Sequence, residues 1–178
     1  RCINTAIKSN LERCFMVEMW DAYDRQFNKI ENVTLVRGKA VPDGMYHLVC
    51  EIIVKHNDGT YLLMQRDFEK HLGGMWELTA GGSALKGETP MECAVRELRE
   101  ETGIVSCNLQ ELKRIIHDGH HSLYVEYLCI TDWDKDAVIL QDGETVDYKW
   151  VDKTALLEMG TDALASSRAL EIVKELNI

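Results

Sequence analysis

Residues 82–104 read GSALKGETPMECAVRELREETGI. The second half of this stretch predicts a helix in which Glu97, Glu100 and Glu101 share one side, because a helix turns by about 100° per residue. The three carboxylates then span an arc of roughly 100°. Such a cluster repels itself unless a cation balances it, and Mg²⁺ or Mn²⁺ prefers carboxylate oxygens as ligands. The pattern therefore predicts a divalent-cation site on this helix.

The residues around the helix predict where it begins and ends. Thr89 is a suitable N-cap, Pro90 suits the first helical position, and Glu92 is spaced to complete a capping box with Thr89. Gly103 is expected to end the helix in a left-handed cap. The preceding residues 80–87, AGGSALKG, predict a glycine-bearing loop whose backbone can approach an ion or a phosphate. A charge run alone usually faces water, but the loop, the caps and the carboxylate arc occur together, which favours the metal site.

The same stretch carries a resemblance to a known family. Its spacing, Gly-x5-Glu-x7-Arg-Glu-apolar-x-Glu-Glu-x-Gly-apolar, resembles the Nudix hydrolase signature at every specified position of residues 82–104. The resemblance implies that Glu97, Glu100 and Glu101 bind metal and activate water. It also implies that Gly82 contributes its carbonyl oxygen to the metal shell.

The resemblance assigns roles to residues beyond these carboxylates as well. Arg96 matches the arginine that orients the carboxylates by pairing, and Glu88 matches a mainly structural glutamate. Glu144 precedes a predicted strand at Val146–Val151 and matches a position where many members place a further metal-binding glutamate. Arg66, at the end of another predicted strand, matches a basic residue that faces substrate phosphates, which a forked guanidinium recognises well. The alternative for Arg66 is an arginine in solvent at a strand end.

The activity that the resemblance implies is hydrolysis at phosphorus. The substrate is expected to be a nucleoside diphosphate linked to another group, NDP-X, or a related organic pyrophosphate, with Mg²⁺ or Mn²⁺ bridging the diphosphate. Either one of the glutamates or a hydroxide on the metal activates the attacking water, because members of the family differ in this respect. The group X is set by loops outside the signature.

Two other functions are alternatives to hydrolysis. Residues 20–24 and 45–49 resemble the branch of the family that includes isopentenyl-diphosphate isomerases. Isomerase chemistry requires a protonating cysteine where this chain has Gly81, and a metal-binding histidine where it has Ser83. A non-catalytic Nudix-fold binding module typically lacks glutamates of the signature, and here all are present. Hydrolysis is therefore favoured.

Composition bounds the class of protein. A chain of 178 residues fits one domain, and we expect a single Nudix domain over residues 1–178 with an N-terminal strand-pair extension at about 14–46. The net charge of −10 argues against a track for nucleic acid but allows a small phosphorylated substrate, because a bound metal inverts the local charge.

No apolar run suggests a membrane span or a signal peptide. The six cysteines are scattered and form no C-x-x-C pair, which favours reduced thiols in the cytoplasm. A monomer and a homodimer both stay open.

Hydrophobic periodicity and turn residues predict the order of elements. Residues 1–13 carry little signal. The predicted helices cover 90–102, 154–158 and 162–176, and the predicted strands cover 15–20, 34–37, 47–55, 60–66, 76–79, 109–116, 122–130 and 146–151. This order fits an α/β fold, a Nudix-type α/β/α sandwich with a mixed β-sheet between helices.

Overall fold

The computed structural model of the chain describes residues 17–178. The predictions for residues 1–13, and the part of the first predicted strand that precedes residue 17, lie outside the described residues. Across the described part of the chain, no helix has the length and apolar character needed to cross a bilayer.

The N-terminal strand pair is present, but its bounds differ from those predicted. Strands β1 (Met19–Tyr23) and β2 (Lys29–Val36) form a two-stranded antiparallel sheet. The predicted bounds, 15–20 and 34–37, leave residues 21–33 outside both strands, which is wrong, because β1 continues to Tyr23 and β2 begins at Lys29. Asp24 Oδ1 accepts hydrogen bonds from the backbone N–H groups of Gln26 and Asn28 at 2.8 and 2.9 Å, so a short turn suffices and β2 begins early.

A seven-stranded mixed sheet forms the centre of the molecule. Its strands are β3 (His47–His56), β4 (Tyr61–Arg66), β5 (Trp76–Glu77), β6 (Thr79–Ser83), β7 (Leu109–His117), β8 (Ser122–Thr131) and β9 (Thr145–Val151). Strand β3 pairs in parallel with β8 along its whole length and antiparallel with β6, and β7 pairs antiparallel with β8. Strand β4 pairs antiparallel with β5 and β9. The predicted turn between β3 and β4 is confirmed, but these strands pair only at Lys55 and Tyr61 and then separate.

The signature stretch forms a strand, a loop and a helix. Helix α1 (Pro90–Thr102) has the predicted bounds, with the Thr89 capping box and a left-handed Gly103 cap. The prediction of a loop from residue 80 is wrong, because residues 80–83 belong to β6 and pair with β3. Gly81 permits this pairing: a Cβ atom there would lie 2.2 Å from the carbonyl oxygen of Cys50.

Two further helices cover the other side of the sheet. Helix α2 (Lys153–Glu158) lies where predicted, whereas α3 (Arg168–Leu176) begins later than predicted. The preceding residues are held in another conformation, since Leu164 forms a bridge with Trp76 and the N–H of Ala165 donates to the Trp76 carbonyl at 2.9 Å.

Alternation along β3 divides the core into two layers, one on each face of the sheet. Ile52 belongs to the cluster that includes Leu98 of α1, and Ile53 belongs to the cluster that includes Leu170 and Val173 of α3. Helices therefore cover both faces of the mixed sheet, and the predicted α/β/α sandwich is confirmed.

Candidate active site

One cleft of about 380 Å³ contains every residue that the sequence predicted for the site. The residues come from four parts of the fold: the end of β4, strand β6, helix α1 and the loop before β9. They are Arg66, Gly82, Arg96, Glu97, Glu100, Glu101 and Glu144. The three helix glutamates therefore do open onto a common space, as their spacing requires.

Arg96 is the centre of a hydrogen-bond network within the signature. Its Nε and Nη2 atoms donate to the two carboxylate oxygens of Glu88 at 2.6 and 2.8 Å. Its Nη1 atom donates to Glu97 Oε1 at 2.6 Å and to Glu100 Oε2 at 3.3 Å. Charge-assisted bonds of this kind fix the planar guanidinium, and through it the positions of the carboxylates.

The helix carboxylates lie in surroundings that oppose their charge. Burial raises the pKa of Glu97, although Arg96 acts in the opposite direction. The carboxyl of Glu101 lies deeper, and burial raises its pKa to about 8, even though the N–H of Gly81 donates to Glu101 Oε2 at 2.9 Å. A bound cation would relieve this cost, because opposite charge favours the ionised form.

The donor set at this point fits a hard divalent cation. Gly82 lies so close to the helix that a Cβ atom there would be 2.6 Å from Glu97 Oε1, so its backbone and the carboxylates share one small region. Carboxylate and carbonyl oxygens are the ligands that Mg²⁺ and Mn²⁺ prefer. Within residues 17–178, no three acidic, histidine or cysteine side chains are already gathered as a metal-binding group. Arg96 Nη1 pairs with Glu97 and Glu100, so the guanidinium serves as their counter-ion in this structure.

Cationic side chains line the same cleft, each paired with a glutamate. Arg66 donates from Nη1 to Glu77 and from Nε to the carbonyl of His71 at 2.9 Å, and burial raises the pKa of the Glu77 carboxyl in spite of Arg66. Lys70 pairs with Glu144. Together the charged lining consists of Arg37, Arg66, Lys70 and Arg96 with Glu18, Glu51, Glu77, Glu97, Glu100, Glu101 and Glu144.

Several of these residues are not among those that the sequence predicts for the site. Lys70, Glu77, Glu51 and Arg37 belong to no motif, and each enters the cleft through strand pairing or loop closure. A weak signal exists only for Lys70, because it follows Arg66 by four residues in a loop that also contains two glycines.

The family model of the NUDIX domain matches residues 45–171. The chain belongs to the Nudix family. The resemblance seen in the signature is thereby confirmed, and the protein is a Nudix hydrolase.

Its relatives include hydrolases and isomerases of the family. An uncharacterized Nudix hydrolase of Listeria innocua is 31% identical over 85% of this chain and 86% of its own length. An 8-oxo-dGTP diphosphatase of Proteus vulgaris is 33% identical over 49% of this chain and 77% of its own length. An isopentenyl-diphosphate delta-isomerase of Photobacterium profundum is 30% identical over 66% and 71% of the two chains.

Solved structures show the same fold. The DR0079 protein of Deinococcus radiodurans superposes with a TM-score of 0.70 at 17% identity, covering 88% of this chain and 98% of its own. The NUDIX domain of Shewanella oneidensis NrtR, in a complex with ADP ribose, gives a TM-score of 0.59 at 21% identity and covers 75% and 89% of the two chains.

The β1–β2 strand pair precedes the part of the chain that the NUDIX model matches, yet it is attached to the Nudix signature. The N–H of Lys86 donates to the Met19 carbonyl at 2.8 Å, and the N–H of Gly87 donates to the buried Asp21 carboxylate at 2.8 Å. Through this attachment the strand pair and its flanks add Trp20 and Arg37 to the lining of the cleft.

Proposed function

We propose that this Nudix hydrolase cleaves a diphosphate linkage in a nucleoside diphosphate derivative, NDP-X, or in a related organic pyrophosphate. The observation that carries the proposal is the cleft itself, in which the signature carboxylates and the cationic side chains of Arg66 and Lys70 line one space. A diphosphate needs positive charge along its oxygens, and the attacking water needs a base close to phosphorus. The cleft has residues for both tasks.

The chain's own residues divide the work. Arg66 binds phosphate oxygens with its forked guanidinium, and Arg96 holds Glu97 and Glu100 in place. One of Glu97, Glu100 and Glu101 accepts a proton from the water that attacks phosphorus. The bond between that phosphorus and the bridging oxygen then breaks, and two phosphorylated products leave.

A divalent cation completes this site in the proposal. We assign Mg²⁺ or Mn²⁺ to Glu97, Glu100, Glu101, Glu144 and the carbonyl of Gly82, where it would supply charge neutralisation for the diphosphate. The support is the oxygen-rich donor set and the burial of Glu101, which raises the pKa of its carboxyl in spite of the nearby charge of Lys70.

A nucleoside portion of the substrate is supported by two related proteins. The relative from Proteus vulgaris acts on 8-oxo-dGTP, and the NrtR domain binds ADP ribose, both of which contain a nucleoside diphosphate. The net charge of −10 supports a small-molecule substrate rather than nucleic acid. The free thiols of Cys50, Cys93, Cys107 and Cys129 support a cytoplasmic location.

The test is a substrate panel with and without metal. The purified chain is incubated with nucleoside di- and triphosphates, nucleotide sugars including ADP ribose, dinucleoside polyphosphates and coenzymes. We expect hydrolysis of one of these classes in Mg²⁺ or Mn²⁺, loss of that activity in EDTA, and recovery when the metal is restored. Full activity in EDTA would overturn the metal assignment, and no hydrolysis of any class would overturn the activity.

A further inference from the structure

The loop of residues 67–75, between β4 and β5, carries a lysine into the cleft. The loop is held by its own backbone, since the N–H of Lys70 donates to the Asp67 carbonyl at 3.1 Å and the N–H of Gly73 donates to the Lys70 carbonyl at 2.9 Å. The N–H of Asp67 donates to the carbonyl of Glu144 at 2.9 Å. The loop and the segment before β9 are therefore fixed to each other beside the cleft.

The side chains at this junction form an ion pair. Lys70 Nζ contacts Glu144 Oε2, and the two side chains keep 29% and 35% of their exposure. Burial and the charge of Arg66 lower the pKa of the Lys70 ammonium, whereas the carboxylates of Glu101 and Glu77 act in the opposite direction. Lys70 lines the same cleft as Glu97, Glu100 and Glu101, which is the space where a diphosphate would bind.

Both partners of this pair have a competing role in the proposed reaction. A divalent cation competes with Lys70 for the Glu144 carboxylate, and a phosphate oxygen competes with Glu144 for the Lys70 ammonium. A partly exposed lysine–glutamate pair contributes little stability, so exchange of partners costs little. A lysine ammonium on a flexible stem suits such an exchange, because it binds phosphate as a compact charge without a fixed direction.

We propose that Lys70 is a phosphate-binding residue of this cleft. Lys70 pairs with Glu144 until metal and diphosphate bind, and then Glu144 becomes a ligand of the metal and Lys70 a ligand of the diphosphate. The inference rests on the proposed function, since it assigns a residue to the diphosphate of that reaction. In this assignment Lys70 binds the negative charge of the substrate, and Glu144 is the partner of Lys70 before the substrate binds.

If this exchange occurs, a substitution of Lys70 should change the affinities for two probes in opposite directions, because the binding of metal and the binding of phosphate are coupled through the Lys70–Glu144 pair. The probes are Mn²⁺ alone and imidodiphosphate, whose P–N–P link resists hydrolysis, each measured by calorimetry on the full chain. In Lys70→Met, Mn²⁺ alone should bind roughly two- to fivefold more tightly, because its competitor is removed. Imidodiphosphate in saturating Mn²⁺ should bind roughly 10- to 100-fold more weakly, and Lys70→Arg should recover part of that loss.

The pair is tested from the other side with Glu144→Gln. In EDTA this variant should bind imidodiphosphate more tightly than the wild type, because Lys70 no longer has a carboxylate partner. Lys174→Met, an exposed lysine on α3, is the matched control and should leave both affinities unchanged.

Three results would overturn the inference. Weaker binding of both probes to Lys70→Met, with a lower melting temperature, would show that Lys70 only supports the loop. Unchanged imidodiphosphate binding would remove its role as a phosphate ligand, and unchanged Mn²⁺ binding would remove the exchange. Because neither probe is hydrolysed, these outcomes are separate from failure of the proposed function, which would appear as a wild type inactive on the whole substrate panel.

Discussion

Two arginines each hold a group of glutamates in this protein, and the groups differ in what surrounds them. Arg96 bonds to Glu88, Glu97 and Glu100 at the edge of the cleft. Arg168, at the start of α3, donates from Nε to Glu126 at 2.8 Å and from Nη2 to Glu51. The chemical groups are the same in both places.

The Arg168 group, which consists of Arg168, Glu51 and Glu126, is a clamp in the sense that it joins helix α3 to the sheet. Glu51 and Glu126 are neighbours in the parallel register of β3 and β8, and the guanidinium lies 3.7 Å from the ring centre of Tyr124. Glu126 is fully buried, and burial, followed by the charge of Glu51, raises its pKa to about 8. Only Glu51 reaches the cleft.

The difference suggests what each group does. Carboxylates beside an open cleft, in excess over the cations, are available to a ligand, whereas carboxylates enclosed with an arginine join a helix to the sheet. Substitution in the first group should remove activity and spare stability, and substitution in the second should do the reverse.

The largest effect is expected from Glu101→Gln, because Glu101 lines the cleft beside the Arg96 group, and the substitution removes its charge and keeps the shape of the side chain. Loss of a metal ligand or base should slow turnover on the best substrate by about 10²–10⁴-fold. The stability of the metal-free protein should not decrease. The pKa of Glu101 is raised to about 8 in the fold from an ordinary value near 4.5, so the unfolded chain loses this proton at a lower pH than the folded chain, and stability falls as the pH rises between these two values. In EDTA at pH 8 the variant should melt at the same or a higher temperature than the wild type.

The matched control for this variant is Glu111→Gln. Glu111 pairs with Arg114 on the exposed face of β7 and does not line the cleft. Its turnover should equal that of the wild type. If Glu101→Gln also turns over at the wild-type rate, the signature is only structural here, and a ligand-binding module becomes the better interpretation.

The same two groups show why one part of the molecule could be predicted from sequence and the other could not. Arg96, Glu97, Glu100 and Glu101 lie within two turns of one helix, so helical geometry brings their side chains together, and Glu88 lies just before that helix. Arg168 lies 42 residues from Glu126 and 117 residues from Glu51, and only the parallel pairing of β3 with β8 places them side by side. No local pattern signals such a contact.

The errors in element bounds have the same origin. Residues 80–83 are rich in glycine and were predicted as a loop, but their conformation is decided by the close approach of β6 to β3. The start of α3 was predicted too early because Leu164 has helical spacing in the sequence, whereas in the fold it pairs with Trp76. Tertiary contacts override local propensity at both places.

The second prediction concerns Arg168→Met, which removes the cation of the clamp. Breaking a buried ion pair leaves a charge without its partner and should lower the free energy of unfolding by about 3–5 kcal/mol. The loss should be larger at pH 9 than at pH 6, because Glu126, with a pKa of about 8, is ionised only at the higher pH. Urea unfolding at both pH values measures this, and turnover below the melting temperature should be largely kept.

Two comparisons make the Arg168 result specific. Arg168→Met with Glu126→Gln should recover much of the stability at pH 9, since the buried charge is then gone. Lys113→Met breaks an exposed pair with Glu175 and should change the free energy of unfolding by less than about 1 kcal/mol. Equal losses from Arg168→Met and Lys113→Met would mean that the Arg168 group is not a clamp.

The smallest effect is expected for the isomerase reaction, where the wild type should convert no isopentenyl diphosphate to dimethylallyl diphosphate in Mg²⁺. The protonating cysteine would have to stand at Gly81, where a Cβ atom would lie 2.2 Å from the Cys50 carbonyl oxygen and 2.9 Å from the Glu51 Cα. Both are backbone atoms of β3, so Gly81→Cys should force β3 and β6 apart and lower the melting temperature without creating isomerase activity. Gly119→Cys is the control, because its nearest contact is an ordinary 3.5 Å to His117. Detectable conversion by the wild type would show that proton transfer does not need a cysteine at this position, and the relationship to the isomerases would then extend to activity.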